Sequence, residues 1–292
     1  MLKFIKGLYL FLNVTIIITL LMLHFIIKDR TYELSLWFYP FPLPVIIGII
    51  LGLSIFLGKR RKYNLILAGI LLVVWLGRSF RFSFAEPIKD SDVEVVFWNT
   101  SRVHTFKDAI AQYGEFPDVM VLAEASDTDF KELQAKYPDY SFYKSTRELS
   151  IFSKHPMKII SDVTSHYHTS VVHFETCNLQ FYAVDVTGSK DVPRHWELDY
   201  VDEHLEFLER SIVLGDFNLP YESLYFEEIK DHFNHWFSSK GNGFRETWPW
   251  GLPLLSIDHI WVSKDLEVLD SEKIISSESD HEMIKTVVFS EK

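Results

Sequence analysis

Three long apolar runs fall within the first 85 residues of this 292-residue chain, and no other feature restricts its fold as strongly. They extend from Leu8 to Ile27, from Leu34 to Leu57 and from Asn64 to Gly77, the last reaching into Arg78-Ser79-Phe80. About 20 apolar residues are enough for a helix to cross the hydrocarbon core of a bilayer. Pro40, Pro42 and Pro44 stand near the start of the second run, so its first part reads as extended or kinked and its helix as beginning near Val45. A cleaved signal would explain the first run but not the second and third. The sequence therefore reads as a membrane anchor of three transmembrane helices over residues 1–85 and a globular domain over 86–292, joined by a linker at Phe84–Ser91.

Charge is divided in the same way. Residues 1–85 hold ten of the 29 Lys/Arg but only Asp29 and Glu33 of the 40 Asp/Glu, which leaves 19 bases against 38 acids in the remainder. So acidic a domain does not attract a long polyanion by charge alone, because duplex binding draws on Lys/Arg–phosphate contacts. Bound cations would offset part of that charge, so nucleic acid is disfavoured without being excluded. Lys3, Lys6 and the Lys59–Lys62 cluster would lie on one side of a three-span anchor, and Lys28, Arg30, Arg78 and Arg81 on the other. The excess of basic residues on cytoplasmic loops places the N-terminus inside, and an odd number of spans then places the domain outside. The expectation is a multi-pass protein of the cytoplasmic membrane with an extracytoplasmic domain, whose partners are the lipid bilayer and its substrate; no protein partner is indicated.

The single cysteine, Cys177, permits neither an intrachain disulfide nor a cysteine-based zinc site. His166, Tyr167, His168 and His173 form a cluster that reads either as metal ligands or, preferably, as polar positions of a strand near Val171-Val172.

From residue 93 onward, β-type runs alternate with helical ones. Strands are expected at Val93–Trp98, Asp118–Ala123, Leu149–Ser153, Ser170–Phe174, Leu179–Val186, Ser211–Leu214, Ser256–Val262 and Thr286–Phe289. Helices are expected at Thr105–Tyr113, Phe130–Tyr137, Trp196–Arg210 and Tyr221–His232, which together suggest a layered α/β domain. Polar residues recur where the apolar runs end: Asn99, Glu124, Asp216 with Asn218, Asp258 within a run, and Asp280-His281 before the last one. Strand ends and the loops after them carry reactive groups on a rigid support. A lone acidic residue there is ordinary loop chemistry, and an Asp-Phe-Asn alone is an ordinary turn.

The whole ordered set resembles the endonuclease/exonuclease/phosphatase superfamily. The stretches that carry the resemblance are Val96-Phe97-Trp98-Asn99, Val121-Leu122-Ala123-Glu124, Leu149-Ser150-Ile151-Phe152-Ser153-Lys154-His155-Pro156, Gly215-Asp216-Phe217-Asn218, Ser256-Ile257-Asp258-His259-Ile260 and Ser279-Asp280-His281. They follow family order over about residues 92–290. The resemblance implies a four-layered α/β sandwich of the DNase I-like kind after the three helices, and hydrolysis of a phosphodiester or phosphomonoester with Mg²⁺, or Mn²⁺ in its place. By the same resemblance Glu124 is the principal metal carboxylate, with Asn99 and Asp280 beside it. Asp216 orients or deprotonates the attacking water, and Asn218 donates its amide to the phosphorane. His281 donates to a phosphate oxygen while Asp258 holds its other ring nitrogen.

Two positions depart from the family. Asp185, in Tyr182-Ala183-Val184-Asp185-Val186, stands where a histidine is common, and a carboxyl donates a proton at neutral pH only if its pKa is raised. In Arg147-Glu148-Leu149 a glycine is commonly found before the strand; Arg147 reads as a phosphate contact or as a surface arginine. Trp248 or Trp250 is open to base stacking, to membrane contact or to ordinary packing. Nuclease, lipid phosphoesterase and small-molecule phosphoesterase stay open within the hydrolase reading, the acidic domain and the anchor favouring a lipid head group or small phosphoester. A catalytically silent binding or sensor protein is the alternative, which Asp185 supports. A transporter built from the three spans is disfavoured because their interiors hold few ionisable groups.

Overall fold

The computed structural model describes residues 2–126, 129–188, 190 and 192–289. The chain divides into two compact units, Met1–Phe80 and Arg81–Lys292.

In the first unit, α1 (Leu2–Met22) continues through a π-helical turn to Ile27. A short α2 (Tyr32–Phe38) starts on the Thr31 side chain, which accepts from Leu34 N. Next comes α3 (Leu43–Ser54), entered through Pro42 and starting two residues before the expected Val45; Pro44 fits its first turn, where no N–H is needed. A 3₁₀ segment then leads into α4 (Arg61–Ser79). Gly58, at φ 57°, is non-helical and separates α3 from α4. Ile46 and Ile50 pack with Ala68 and Leu71, and Ile17 and Leu20 of α1 join them.

Two helical stretches are long and apolar enough to cross a membrane, Lys3–Ile27 and Leu43–Ser79. Three separate spans were expected, and the difference lies at Gly58. The second stretch contains the part of the second run from Leu43 onward and all of the third, and α3 alone, with 12 residues, is about 18 Å long against a hydrocarbon core of about 30 Å.

Among the described residues, the second unit is built on two six-stranded sheets. In chain order their strands are β1 (Val93–Asn99), β2 (Val119–Ala123), β3 (Ser141–Lys144), β4 (Ser150–Ser153), β5 (Lys158–Thr164), β6 (Ser170–Thr176), β7 (Leu179–Asp185), β8 (Ser211–Asp216), β9 (Phe233–His235), β10 (Asp258–Ser263), β11 (Val268–Ile274) and β12 (Met283–Val288). One sheet has the order β11-β12-β1-β2-β4-β3 and the other β9-β10-β8-β7-β6-β5. Strand β1 buries Val95 and Phe97 between the sheets, against residues such as Phe174, Phe181, Leu214 and Ile260. Its alternate residues Val96 and Trp98 face outward under α5 (Phe106–Tyr113) and α6 (Phe130–Lys136). Because both faces are covered, the Val95–Trp98 part of the strand reads as an unbroken apolar run. On the other sheet α7 (Arg194–His204) lies against β6 and α8 (Glu227–His232) against β9. The domain is therefore an α/β sandwich with helices outside two facing sheets.

Several expected boundaries shift. The helix expected over Trp196–Arg210 is α7 and ends at His204, and that over Tyr221–His232 is reduced to a 3₁₀ turn plus α8. The last strand starts at Met283, before the expected Thr286. Four strands have no counterpart in the sequence reading: β3, β5, β9 and β11, which are the four sheet edges. His173 lies on β6 and bonds through Nε2 with Gln180 Oε1 at 2.9 Å, while His166, Tyr167 and His168 precede that strand, so only His173 occupies a strand position.

Candidate active site

Three carboxylates are aligned across one end of a sheet. Asp185 and Asp216 are the last residues of the parallel neighbours β7 and β8 and are register partners. Asp258, the first residue of antiparallel β10, is the partner of Asp216 on the other side. Gly215 makes this alignment possible: a Cβ there would lie 1.8 Å from Val184 O on β7. In the facing sheet β1 ends at Asn99, the partner of Ala123, and Glu124 follows immediately.

Hydrogen bonds join the two sheets at this end. Asn99 Nδ2 donates to Asp216 Oδ2 at 2.8 Å, and Asn218 N donates to Asp216 Oδ1 at 2.8 Å. His281 Nδ1 faces both oxygens of Asp258, at 3.1 and 3.0 Å. Thr247 Oγ1 accepts from the Asp258 backbone N–H at 3.3 Å, and Trp248 Nε1 donates to Asp280 Oδ2 at 2.8 Å. Ser101 Oγ donates to the other Asp280 oxygen, and Ser279 Oγ donates to Asn99 O at 2.8 Å. The amide of Asn218 donates to Val186 O at 2.7 Å, which leaves one of its two N–H groups for another acceptor.

Crowded burial sets the protonation of these groups. Burial and the Asp258 carboxylate push the Asp216 carboxyl up to about 7. Burial, then the neighbouring Asp216 and Glu124 carboxylates, raises the Asp185 carboxyl well above its ordinary value. Burial opposes charge on His281, yet Asp258 lifts its imidazole to about 10 and keeps it cationic. Burial raises Glu124, with Arg102 pulling the other way. Asp280 is lowered: burial works against this, but the bonds from Ser101 and Trp248 prevail.

Glu124, Asp185 and Arg147 line one cavity of about 120 Å³ together with Arg102, Glu148 and His168. The structure thus brings Arg147, half-buried, to the same opening as the carboxylates. Arg102 and Glu148 are absent from the sequence expectations. Arg102 Nη2 lies 3.0 Å from Glu124 Oε1 and 2.9 Å from Glu148 Oε2. Ser101, Arg102, Glu124 and Asn218 all have φ between 51 and 61°, a backbone region that non-glycine residues occupy at a cost and that clusters at functional sites.

Among the described residues, Asp216, Asp258 and His281 form a group whose possible ligand atoms all lie within 4.8 Å of one another. This differs from the expected metal set of Glu124, Asn99 and Asp280. In the structure those three side chains are engaged by Arg102, Asp216, and Ser101 with Trp248 respectively. The donors at the rim are carboxylate and amide oxygens plus one imidazole, a set suited to a hard divalent cation.

Two facing sheets under outer helices, with acids, an amide and an imidazole converging at one end, define the DNase I-like class of α/β sandwich. The chain belongs to the endonuclease/exonuclease/phosphatase family, whose sequence model matches residues 96–281. Solved structures agree in fold. A family protein from Bacteroides thetaiotaomicron is 17% identical at a TM-score of 0.51, over 68% of this chain and 98% of its own. A mannosyl-6-phosphatase from Bacteroides thetaiotaomicron is 17% identical at 0.50, over 68% and 100%. A 3′ phosphatase from Neisseria bound to product DNA hairpin is 15% identical at 0.52, over 66% and 98%. No curated protein sequence matches the chain.

Proposed function

We propose that this chain hydrolyses a phosphoester, diester or monoester, with the help of a divalent cation. The observation that carries the proposal is the line of buried groups across the two sheets: Asn99 on Asp216, Asp216 opposite Asp258, and Asp258 on His281. Asp216, held by two donors and with a carboxyl raised to about 7, orients the attacking water and takes its proton near neutrality. His281, kept cationic by Asp258, presents its other nitrogen as a fixed donor to a phosphate oxygen. Asn218 adds its second amide N–H. Asp185, whose carboxyl is raised by burial and by Asp216 and Glu124, is the candidate O–H donor in the place where the family commonly has an imidazole. Arg147 contributes a guanidinium to the same cavity for phosphate binding.

Glu124, with Asn99 and Asp280, would hold Mg²⁺ or Mn²⁺, which when bound polarises the phosphoryl group. The relatives by fold include two phosphatases, which favours a phosphomonoester. The acidic domain favours a small phosphoester or lipid head group over duplex DNA. Hydrolysis of a panel comprising p-nitrophenyl phosphate, bis-p-nitrophenyl phosphate, sugar phosphates, phospholipids and plasmid DNA tests this. Preferential cleavage of DNA at moderate salt would reverse the substrate preference.

A second reading, a silent binding protein, draws on Arg102, whose guanidinium already pairs with Glu124 and Glu148. Lack of hydrolysis with any divalent cation would favour it.

Residues 1–85 serve as a membrane anchor in this account, with residues 86–292 outside the cytoplasm. Only 28% and 22% of the two apolar windows are buried, whereas a core helix of a water-soluble domain is mostly buried. Large apolar side chains such as Phe11, Ile18, Ile66 and Val73 stand exposed along the helices, as a lipid-facing surface requires. Three spans follow if α3, its 3₁₀ extension and α4 turn at Gly58 as a re-entering pair.

A further inference from the structure

The helical unit separates its charges by position. Its only carboxylates, Asp29 and Glu33, follow the C-terminal end of α1 and are engaged there: Asp29 accepts from Tyr39 Oη at 3.4 Å and Glu33 from Thr31 Oγ1 at 2.9 Å. The N-terminal end of α1, about 30 Å away along the helix, carries Lys3 and Lys6. The fold brings Lys59 and Arg60, more than 50 residues further along the chain, to the same place. Tyr9 Oη donates to Leu53 O at 2.7 Å, and the Tyr9 and Phe56 rings meet edge to face at 6.0 Å, which fixes α1 against the start of the 3₁₀ segment.

Between these elements lies a cavity of about 780 Å³. Its wall includes the apolar side chains Leu10 and Phe56, and its basic lining is Lys3, Lys6, Lys59 and Arg60. Among the described residues none of the four cations has a carboxylate partner. A cavity with an apolar wall and unneutralised cations suits an amphiphile with an anionic head. The arginine fork can grip two phosphate oxygens while the lysines act as point charges.

We propose that this cavity binds an anionic phospholipid of the bilayer, its phosphate among Lys3, Lys6, Lys59 and Arg60 and an acyl chain against Leu10 and Phe56. This rests on the reading of residues 1–85 as a membrane anchor and is independent of the hydrolase reading. Charge complementarity selects the occupant: a zwitterionic head group offers these cations no net charge, whereas an anionic head group does. The cluster then does more than orient the chain, since an orientation signal needs basic residues near the membrane but no apolar side chains lining a cavity beside them.

The test uses the full chain with phosphatidylglycerol and phosphatidylcholine. Flotation on phosphatidylcholine vesicles comes first; a chain that stays in the aqueous layer overturns the anchor reading and the proposal with it. Native mass spectrometry of the detergent-purified chain then counts retained lipid. The expected result is at least about tenfold preference for phosphatidylglycerol, because each basic side chain at an anionic surface contributes a factor of roughly five. The variant with Lys3→Gln, Lys6→Gln, Lys59→Gln and Arg60→Gln should lose that preference and still float. Raising the salt concentration on the unmodified chain should weaken the preference, which supplies a test that needs no variant. Equal retention of the two lipids, a preference that survives the four substitutions, or equal binding of soluble glycerol phosphate would overturn it.

Discussion

His281 Nδ1 and the Asp258 carboxylate lie 3.0 Å apart, a buried contact between the first residue of β10 and the loop that leads into β12. The contact raises the imidazole to about 10, so its charge is maintained through the neutral range. Asp258→Asn keeps an acceptor for Nδ1 but removes the negative charge. The imidazole should then fall towards its ordinary value, and the basic limb of the pH–rate profile should move from near pH 10 towards neutrality. The rate at pH 7.5 should drop by about 10²–10⁴. The sign on stability follows too. A pKa raised by folding contributes stability that is complete below about 6.5 and lost as pH rises through 10. Urea melts of the two proteins at pH 6 and pH 10 check this: the substitution should cost more at pH 6.

Asp185 is buried among acids, which raises its carboxyl well above the ordinary value. Its folded pKa lies above its unfolded value, so the unfolded chain releases the proton first and stability falls as pH rises above about 4. Asp185→Asn removes that penalty. We expect a gain of about 1–2 kcal/mol at pH 7.5, a range common for substitutions that relieve a functional site. Activity should fall by about 10² with loss of the donor. Asp185→His should retain activity. Denaturation and initial-rate measurements on the same preparations separate the two effects.

Gly215 approaches β7 so closely that a Cβ would lie 1.8 Å from Val184 O. Gly215→Ala should force β7 and β8 apart and displace Asp216 from Asp185. A loss of at least about 2 kcal/mol is expected, since neither backbone can yield without breaking ladder bonds. Thermal denaturation reads the loss, and hydrolysis should be abolished even where the variant remains folded.

Glu124 is the carboxylate assigned to the cation. Glu124→Gln should raise the Mg²⁺ concentration for half-maximal rate by about tenfold or more and lower the maximal rate. Chelation of divalent ions should abolish hydrolysis of the unmodified chain, with recovery on adding Mg²⁺. Calorimetric titration of Mg²⁺ into both proteins provides a readout separate from turnover.

The eight internal strands were all visible in the sequence, and the four edge strands were not. Internal strands such as β2, Val-Met-Val-Leu-Ala, are buried on both faces and form unbroken apolar runs. Edge strand β5, Lys-Ile-Ile-Ser-Asp-Val-Thr, is wetted along one side, and β11 carries Asp270, Glu272 and Lys273; such polar edges resist pairing with other chains and resemble loops. The candidate site divides in a similar way. Asp216, Asn218, Asp258 and His281 sit in short ordered motifs next to strands and could be read. The pairing of Arg102 with Glu124 and Glu148 spans 22 and 46 residues and depends on two consecutive positive-φ residues, Ser101 and Arg102, for which the residue types give no signal. The break between α3 and α4 was legible, because Gly58 stands between the end of the second apolar run and the Lys59–Lys62 cluster, and its φ of 57° interrupts the helix there.

The central claim is phosphoester hydrolysis by the group around Asp216. Its most direct test is the initial rate of p-nitrophenyl phosphate and bis-p-nitrophenyl phosphate hydrolysis by the full chain, with and without Mg²⁺, beside Asp216→Ala. The account predicts Mg²⁺-dependent release of nitrophenol from at least one substrate and loss of about 10² or more in the variant. Absence of hydrolysis with Mg²⁺, Mn²⁺ and Ca²⁺ alike, or full activity in Asp216→Ala, would contradict it.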